Sequence, residues 1–198
     1  PGLMALLGER KERVITVTDL VFRVAPRINA AGRMKHGTYA VELLLSDSIE
    51  EATKRAEAIE VFNEDRKTLD REITEQALAQ IEESSQTDKA STVVYDPDWH
   101  KGVIGIVASR LIETHYTPTV VFTRSGDVLT ASARSVRGFD LYAALSACQD
   151  HIIQFGGHKY AAGLTIRPEQ YDGFCQRFEE VVTNRIQSEQ QERTLSID

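Results

Sequence analysis

Three short segments carry residue types that could handle an oxyanion. In Gln154-Phe155-Gly156-Gly157-His158-Lys159-Tyr160-Ala161-Ala162-Gly163-Leu164-Thr165, two glycines precede a histidine and a second run of small residues follows. With few side chains in the way, backbone can come close to a ligand, and amides and an imidazole can both donate to phosphate oxygens. The spacing predicts an exposed Gly-Gly-His turn leading into a strand, with Gly156 and Gly157 allowing close approach and His158 supplying a donor. In Ala131-Ser132-Ala133-Arg134-Ser135-Val136, the two-residue period of a strand points Ser132 and Arg134 to the same side. Hydroxyl and guanidinium could there grip one phosphate; the alternative is an arginine exposed on an edge strand. In Pro26-Arg27-Ile28-Asn29-Ala30-Ala31-Gly32-Arg33-Met34, tiny residues flank Asn29 and Arg33. A low-profile loop is expected, able to offer a guanidinium bidentately to phosphate or to tie itself to a helix end.

A fourth stretch, Trp99 to Leu111, places Gly102 and Gly105 at the start of a helix that follows a strand. Free amides and the helix dipole favour an anion there, while the same glycines could simply permit tight helix-to-sheet packing under a Trp99 lid. Asp96-Pro97-Asp98-Trp99-His100 holds carboxylates and an imidazole, but Pro97 makes it a turn in which Asp98 or His100 acts as a cap. Asp150-His151 is an isolated pair at a helix end. Neither offers the clustered acids of a two-metal site, so no residue is assigned to a metal.

These segments need a scaffold, and the sequence outlines one. Ser48-Ile49-Glu50-Glu51 reads as a capping box, and apolar residues then recur at steps of three and four, apart from one gap around Arg66, with no Pro or Gly before Ser84. One helix of about 50 Å follows from that run, with its charged face in solvent. Beyond the polar Ser84 to Lys89 loop come a strand at Thr92 to Tyr95, a helix at Gly102 to His115 and a strand at Thr119 to Phe122, a parallel crossover unit. Ser125-Gly126-Asp127 is a hairpin turn into an antiparallel strand at Val128 to Ala133. Asp140 caps a helix through Cys148, Gly163 to Arg167 is a further strand, and Gln170 to Gln187 a closing amphipathic helix. The fold class is α/β, a mixed sheet preceded by a long connector helix.

Composition narrows the function. The 198 residues carry a net charge of -7, against indiscriminate nucleic-acid binding. Charge is nevertheless uneven. From Lys11 to Ser46 bases outnumber acids six to three, and from Ala90 to Pro168 seven to six, so the glycine-rich segments are free to form a mildly positive surface. No apolar run reaches the roughly 20 residues of a membrane span, and the start Pro1-Gly2-Leu3-Met4 reads as an internal point of a longer protein. Cys148 and Cys175 read as buried small hydrophobes in a reducing cytoplasm.

In order and at matching spacing, Pro26 to Met34, Trp99 to Leu111, Ser132 to Val136 with Gly138-Phe139-Asp140-Leu141, and Gly156-Gly157-His158 to Ala161-Ala162-Gly163 resemble the RecJ branch of the DHH/DHHA1 phosphoesterase superfamily. The resemblance runs from about Val21 to Thr165. It implies a 5′-to-3′ single-stranded-DNA exonuclease of recombination and repair, in which a DHH domain binds Mn²⁺ or Mg²⁺, a long helix leads to a DHHA1 domain, and DNA lies between. This sequence has no Asp-His-His triplet, so the metal-bearing part is expected to be absent, the chain alone inert, and no metal tightly held by it. The implied division is residues 1–46 as the end of the DHH domain, 47–86 as connector, 87–187 as DHHA1 domain and 188–198 as a tail leading toward an OB-type domain. Carried over by motif, Arg33, Ser132 and Arg134, with Asn29 nearby, hold the 5′-terminal phosphate or adjacent backbone. His158 faces the scissile phosphate, and Gly156 and Gly157 admit it closely. The implied partners are single-stranded DNA and a single-strand-binding protein, with no membrane and a monomeric state. Two other readings stay open: a phosphoesterase of short oligonucleotides or nucleotides, and a nucleic-acid-binding module without catalysis.

Overall fold

The three- and four-residue recurrence of apolar positions after Ser48 winds into the longest element among the described residues. The computed structural model describes residues 1–8, 14–84 and 86–193. Lys11 and Arg13, counted among the bases above, Ser85 of the Ser84 to Lys89 loop, and the tail beyond Arg193 lie outside the described residues. The chain divides into two compact units, Pro1–Leu69 and Asp70–Asp198.

The first unit is helical: α1 (Gly2–Leu7), α2 (Val17–Asp19) running into a π-helical turn at Leu20–Val24, α3 (Ala25–Met34), α4 (Thr38–Leu44) and the first half of α5 (Ile49–Glu83). Leu6, Leu7, Val24, Ala31, Ala40, Leu43, Ala52 and Ile59 form its core. The segment expected as a loop at Pro26 to Met34 is therefore a helix. Pro26 sits in its first turn, where a missing N–H costs nothing, and the small Ala30 and Ala31 are wholly buried against neighbouring helices. At the head of α5 the Ser48 hydroxyl accepts from the Glu51 amide at 3.1 Å, while the Glu51 carboxylate pairs with Arg55.

The second unit is the predicted α/β layer. Its elements are β1 (Thr92–Tyr95), α6 (Ile104–Thr114), β2 (Thr119–Ser125), β3 (Val128–Arg134), α7 (Leu141–Ser146), β4 (Gln154–His158), β5 (Ala161–Ile166) and α8 (Tyr171–Arg185). The sheet order is β1-β2-β3-β5-β4. β1 and β2 are parallel, as a strand-helix-strand crossover requires, and the remaining pairs are antiparallel. Gly126 turns the β2–β3 hairpin at φ +63°. The Asp140 carboxylate accepts from the Ala143 amide at 2.9 Å and caps α7, which ends at Ser146 rather than Cys148. One strand was not expected: the Gly-Gly-His segment is not a turn but β4, paired along its length with β5.

One face of this sheet is the main core. Val120, Phe122, Leu129, Ala131, Ala133, Ala162, Leu164 and Ile166 pack with Phe174, Phe178 and Val182 of α8, and Phe122 meets Phe174 edge-on at 5.3 Å. Glu179 of α8 accepts from the amides of Ala90 and Ser91, each at 2.9 Å, fastening the approach to β1. On the other face α6 packs over β2 and β3. The second half of α5 joins this unit through side chains. The Gln80 carboxamide donates to Tyr95 O and accepts from Tyr95 N, both at 3.0 Å, satisfying the β1 edge as a neighbouring strand would. Gln76 accepts from the Trp99 indole at 2.8 Å. The buried Asp70 takes two 2.8 Å bonds from Arg110, a bidentate pair that answers the cost of burying a carboxylate; it raises the Arg110 pKa through that hydrogen bond.

Candidate nucleic-acid interface

Directly paired residues of neighbouring strands share a face, so the register decides which side chains can act together. Arg134 pairs with Ala161 and Ala161 with His158; Ser132 pairs with Gly163 and Gly163 with Gly156; Thr130 pairs with Thr165 and Thr165 with Gln154. Three rows therefore cross β3, β5 and β4 on the side opposite the aromatic core. The alternate rows, Ala133-Ala162-Gly157 and Ala131-Leu164-Phe155, belong to the core side. Arg134 and His158 stand on one face, at the two ends of one row.

Local chemistry holds these groups in place. Arg134 donates through Nη1 to the Ser132 hydroxyl at 3.1 Å and to the Ala133 carbonyl at 2.8 Å, which sets guanidinium and hydroxyl side by side. The first turn of α6 lies directly over them: a Cβ on Gly105 would stand 3.0 Å from Ser132 Oγ and 3.1 Å from Arg134 Nη2. Gly105 thus lets a helix close on a polar pair that a larger residue would displace. At the far end, the Tyr160 amide donates to His158 Nδ1 at 3.3 Å. An accepting Nδ1 leaves the proton of the neutral ring on Nε2, available as a donor. The turn after His158 is itself anchored, since the amides of Ser135 and Leu141 donate to the carbonyls of Tyr160 and Lys159.

Between arginine and histidine the floor carries no side chain larger than the Ala161 methyl. Gly156, Gly163 and His158 are exposed and Ala161 is half-buried; a Cβ on Gly156 would meet nothing within 4 Å, and one on Gly163 only the Ala131 carbonyl at 3.8 Å. Gly157 answers to a different demand. Its φ is +154°, and a Cβ there would lie 2.3 Å from the Ala161 carbonyl, so this glycine is required by its own hairpin. The arrangement can accept an anion along a shallow shelf of glycine and alanine with a fixed cation at one side and an imidazole donor at the other.

Asn29 and Arg33 lie in the first unit, four residues apart on the exposed side of α3. Arg27 serves the fold instead, donating to the Arg23 carbonyl at 2.7 Å and pairing with Glu60. The burial of Glu60 works to raise its pKa, but the bonds from Arg27 and Asn63 outweigh that and leave it lowered. The sequence reading passed over Thr130, Gln154 and Thr165. Thr130 could have been found, because it continues the two-residue spacing of Ser132 and Arg134; Gln154 and Thr165 become neighbours only through the β4–β5 register.

The rejected ligand candidates have local uses. Asp96 accepts from the Asp98 amide at 2.8 Å, His100 from the Gly102 amide at 3.1 Å, and His151 bonds Gln170 at 2.7 Å. Among the described residues no three His, Cys, Asp or Glu side chains gather as a metal-binding group. Burial pushes the thiols of Cys148 and Cys175 up to about 11, which suppresses the thiolate a nucleophile needs. No helix among the described residues is long and apolar enough to cross a membrane.

Comparison with known proteins brings these features together. Residues 88–184 match the DHHA1 domain family. The chain is 38% identical over 193 residues to the single-stranded-DNA-specific exonuclease RecJ of Salmonella typhimurium, 92% of this chain and 33% of that protein. It is 35% identical to the RecJ of Bacillus subtilis, 92% of this chain and 23% of that protein. The chain spans about a third or less of the length of these relatives. Among solved structures, RecJ from Thermus thermophilus in complex with Mn²⁺ superposes with a TM-score of 0.77 at 31% identity, covering 85% of this chain and 25% of that one. An exonuclease RecJ bound to manganese gives 0.76 at 31%, covering 87% and 42%. The five-stranded mixed sheet and long helix are those of RecJ structures.

Proposed function

We propose, for a chain that carries a DHHA1 domain and is related to the RecJ exonucleases over most of its length, that it is the strand-gripping part of a single-stranded-DNA exonuclease. The observation that carries the reading is the row Arg134-Ala161-His158 beside the bare row Ser132-Gly163-Gly156. A phosphodiester is a tetrahedral anion with oxygens on several sides, and it needs donors that converge without crowding it. Arg134 and Ser132 bind and orient the phosphate, either the 5′-terminal one or its neighbour. The His158 Nε2–H faces the phosphate being cleaved and offsets charge that develops on its oxygens. Gly156 and Gly163 keep the approach open. Asn29 and Arg33, taken by themselves, are proposed to contact the DNA backbone.

A divalent metal is proposed for the full-length protein, in keeping with the Mg²⁺ and Mn²⁺ of the RecJ structures. Residues 1–198 by themselves do not hydrolyse the strand; the full-length protein acts as a monomer in the cytoplasm and works beside a single-strand-binding protein.

The experiment is hydrolysis of a 5′-phosphorylated single-stranded oligonucleotide with Mn²⁺ by the full-length protein and its Arg134→Ala and His158→Ala variants. Each variant is expected to lose about 100-fold or more in kcat/KM, the scale of one lost oxyanion donor, with melting temperature unchanged. Wild-type rates in both variants would overturn the reading. Short and long substrates compared in the same assay separate an enzyme of DNA strands from one of dinucleotides, since only an extended cleft rewards length.

A further inference from the structure

The shelf does not end at the Ser132 row. Two residues further along the strands, about 7 Å away at 3.4 Å per residue, Thr130, Thr165 and Gln154 form the next row on the same face. Together with Lys101, Gly156 and Gly163 they line an open groove of about 400 Å³. Gln154 and Lys101 are exposed and the two threonines half-buried. Among the described residues none of these four side chains finds a hydrogen-bond partner, which leaves a carboxamide, two hydroxyls and an ammonium unused by the fold. That differs from the Ser132-Arg134 pair, whose groups are tied to each other.

The composition of the groove fits one kind of occupant. A second phosphate would meet a single lysine on the rim and no arginine. A carboxamide and two hydroxyls, each able both to donate and to accept, match instead the mixed donor and acceptor edges of a nucleobase and its sugar. A glycine floor suits a flat group lying against backbone. The groove adjoins the phosphate row without an intervening side chain, because the residues between are Gly163 and Gly156.

We propose that the Thr130-Thr165-Gln154 row is a nucleoside subsite, which takes the sugar and base next to the phosphate held by Ser132 and Arg134. Gln154 reads the base edge, Thr130 and Thr165 hold the sugar or base from beneath, and Lys101 draws the following backbone to the rim. The subsite rests on the proposed strand-gripping role of the neighbouring row.

The test uses the full-length protein with metal removed by EDTA, so that the strand is bound but not cut, and fluorescence anisotropy on 5′-phosphorylated single-stranded DNA. A series of oligonucleotides carries one abasic nucleotide, moved stepwise from the 5′ end. Wild type is expected to lose about tenfold in affinity when the abasic position falls in the groove and less than about twofold elsewhere, the scale of two hydrogen bonds. The variant Thr130→Val/Gln154→Ala/Thr165→Val is expected to bind intact DNA about tenfold more weakly and to be indifferent to the abasic position. The single variant Gln154→Ala, exposed and therefore safe for folding, is expected to lose part of the same sensitivity. A flat abasic scan in wild type, or a scan unchanged in the variants, would sink the subsite. Arg134→Ala separates the two ideas: weakened binding in that variant with a flat scan removes the nucleoside subsite alone, whereas unchanged binding in it removes the strand-gripping reading underneath.

Discussion

β5 shows two unlike surfaces on one strand. Ala162, Leu164 and Ile166 are buried among the aromatic rings of α8, while Ala161, Gly163 and Thr165 face a shelf of glycine, hydroxyl and arginine. The first surface is filled, apolar and tolerant of exchange by volume. The second is empty, polar and fixed by hydrogen bonds that span only two or three residues. The difference teaches that stability and ligand contact are divided by residue parity, so a substitution one position along the strand should change which property suffers.

The largest effect is expected on the filled face. Leu164→Ala, at a side chain 3% exposed, should cost about 2–5 kcal/mol of folding stability, read by urea denaturation, with DNA affinity per folded molecule unchanged. A variant that kept its stability and lost its affinity would reverse the assignment of faces. On the shelf the ranking inverts. Arg134→Ala should lower affinity for 5′-phosphorylated single strands by about 100-fold, roughly 2.7 kcal/mol, while its denaturation midpoint moves by less than the equivalent of about 1 kcal/mol. Gly163→Ala comes next. Its new methyl would find only the Ala131 carbonyl at 3.8 Å, an ordinary contact, so stability should stay within about 1 kcal/mol. The raised floor should weaken binding about tenfold; equal binding would mean that the strand does not lie against the glycines.

The smallest effect concerns pH and the core alone. Burial raises the Cys148 thiol from 9.0 to about 11. A group with a raised folded pKa contributes stability that is whole below its unfolded value and disappears as pH climbs through its folded value. Stability should therefore decline between pH 9 and pH 11, more shallowly in Cys148→Ala, as followed by thermal melting across that range. Cys175, shifted in the same direction by burial, contributes to the part of the slope that remains.

Much of this division was legible in the residues. Alternation in Leu129-Thr130-Ala131-Ser132-Ala133-Arg134 separates the faces of β3, and the two-residue step from Ser132 to Arg134 agrees with their 3.1 Å bond. The periodic run after Ser48 foretold a single long helix, observed as Ile49–Glu83. The failures have physical causes. Gly156-Gly157-His158 has the local look of a turn, because glycine has poor strand propensity; pairing with β5 overrides it. Pro26 to Met34 looked like a loop because small residues and a proline obscure the apolar stripe, yet Ala30 and Ala31 are the stripe, sized for close helix packing. The row Thr130-Thr165-Gln154 could not be read in advance, since it exists only through the register of three strands.

The most direct check on the glycine shelf as the DNA contact is the salt dependence of binding by the full-length protein. The slope of log affinity against log salt should fall by about one in Arg134→Ala and stay at the wild-type value in Leu164→Ala. An identical slope and affinity in wild type and Arg134→Ala would contradict the account and move the DNA to some other surface.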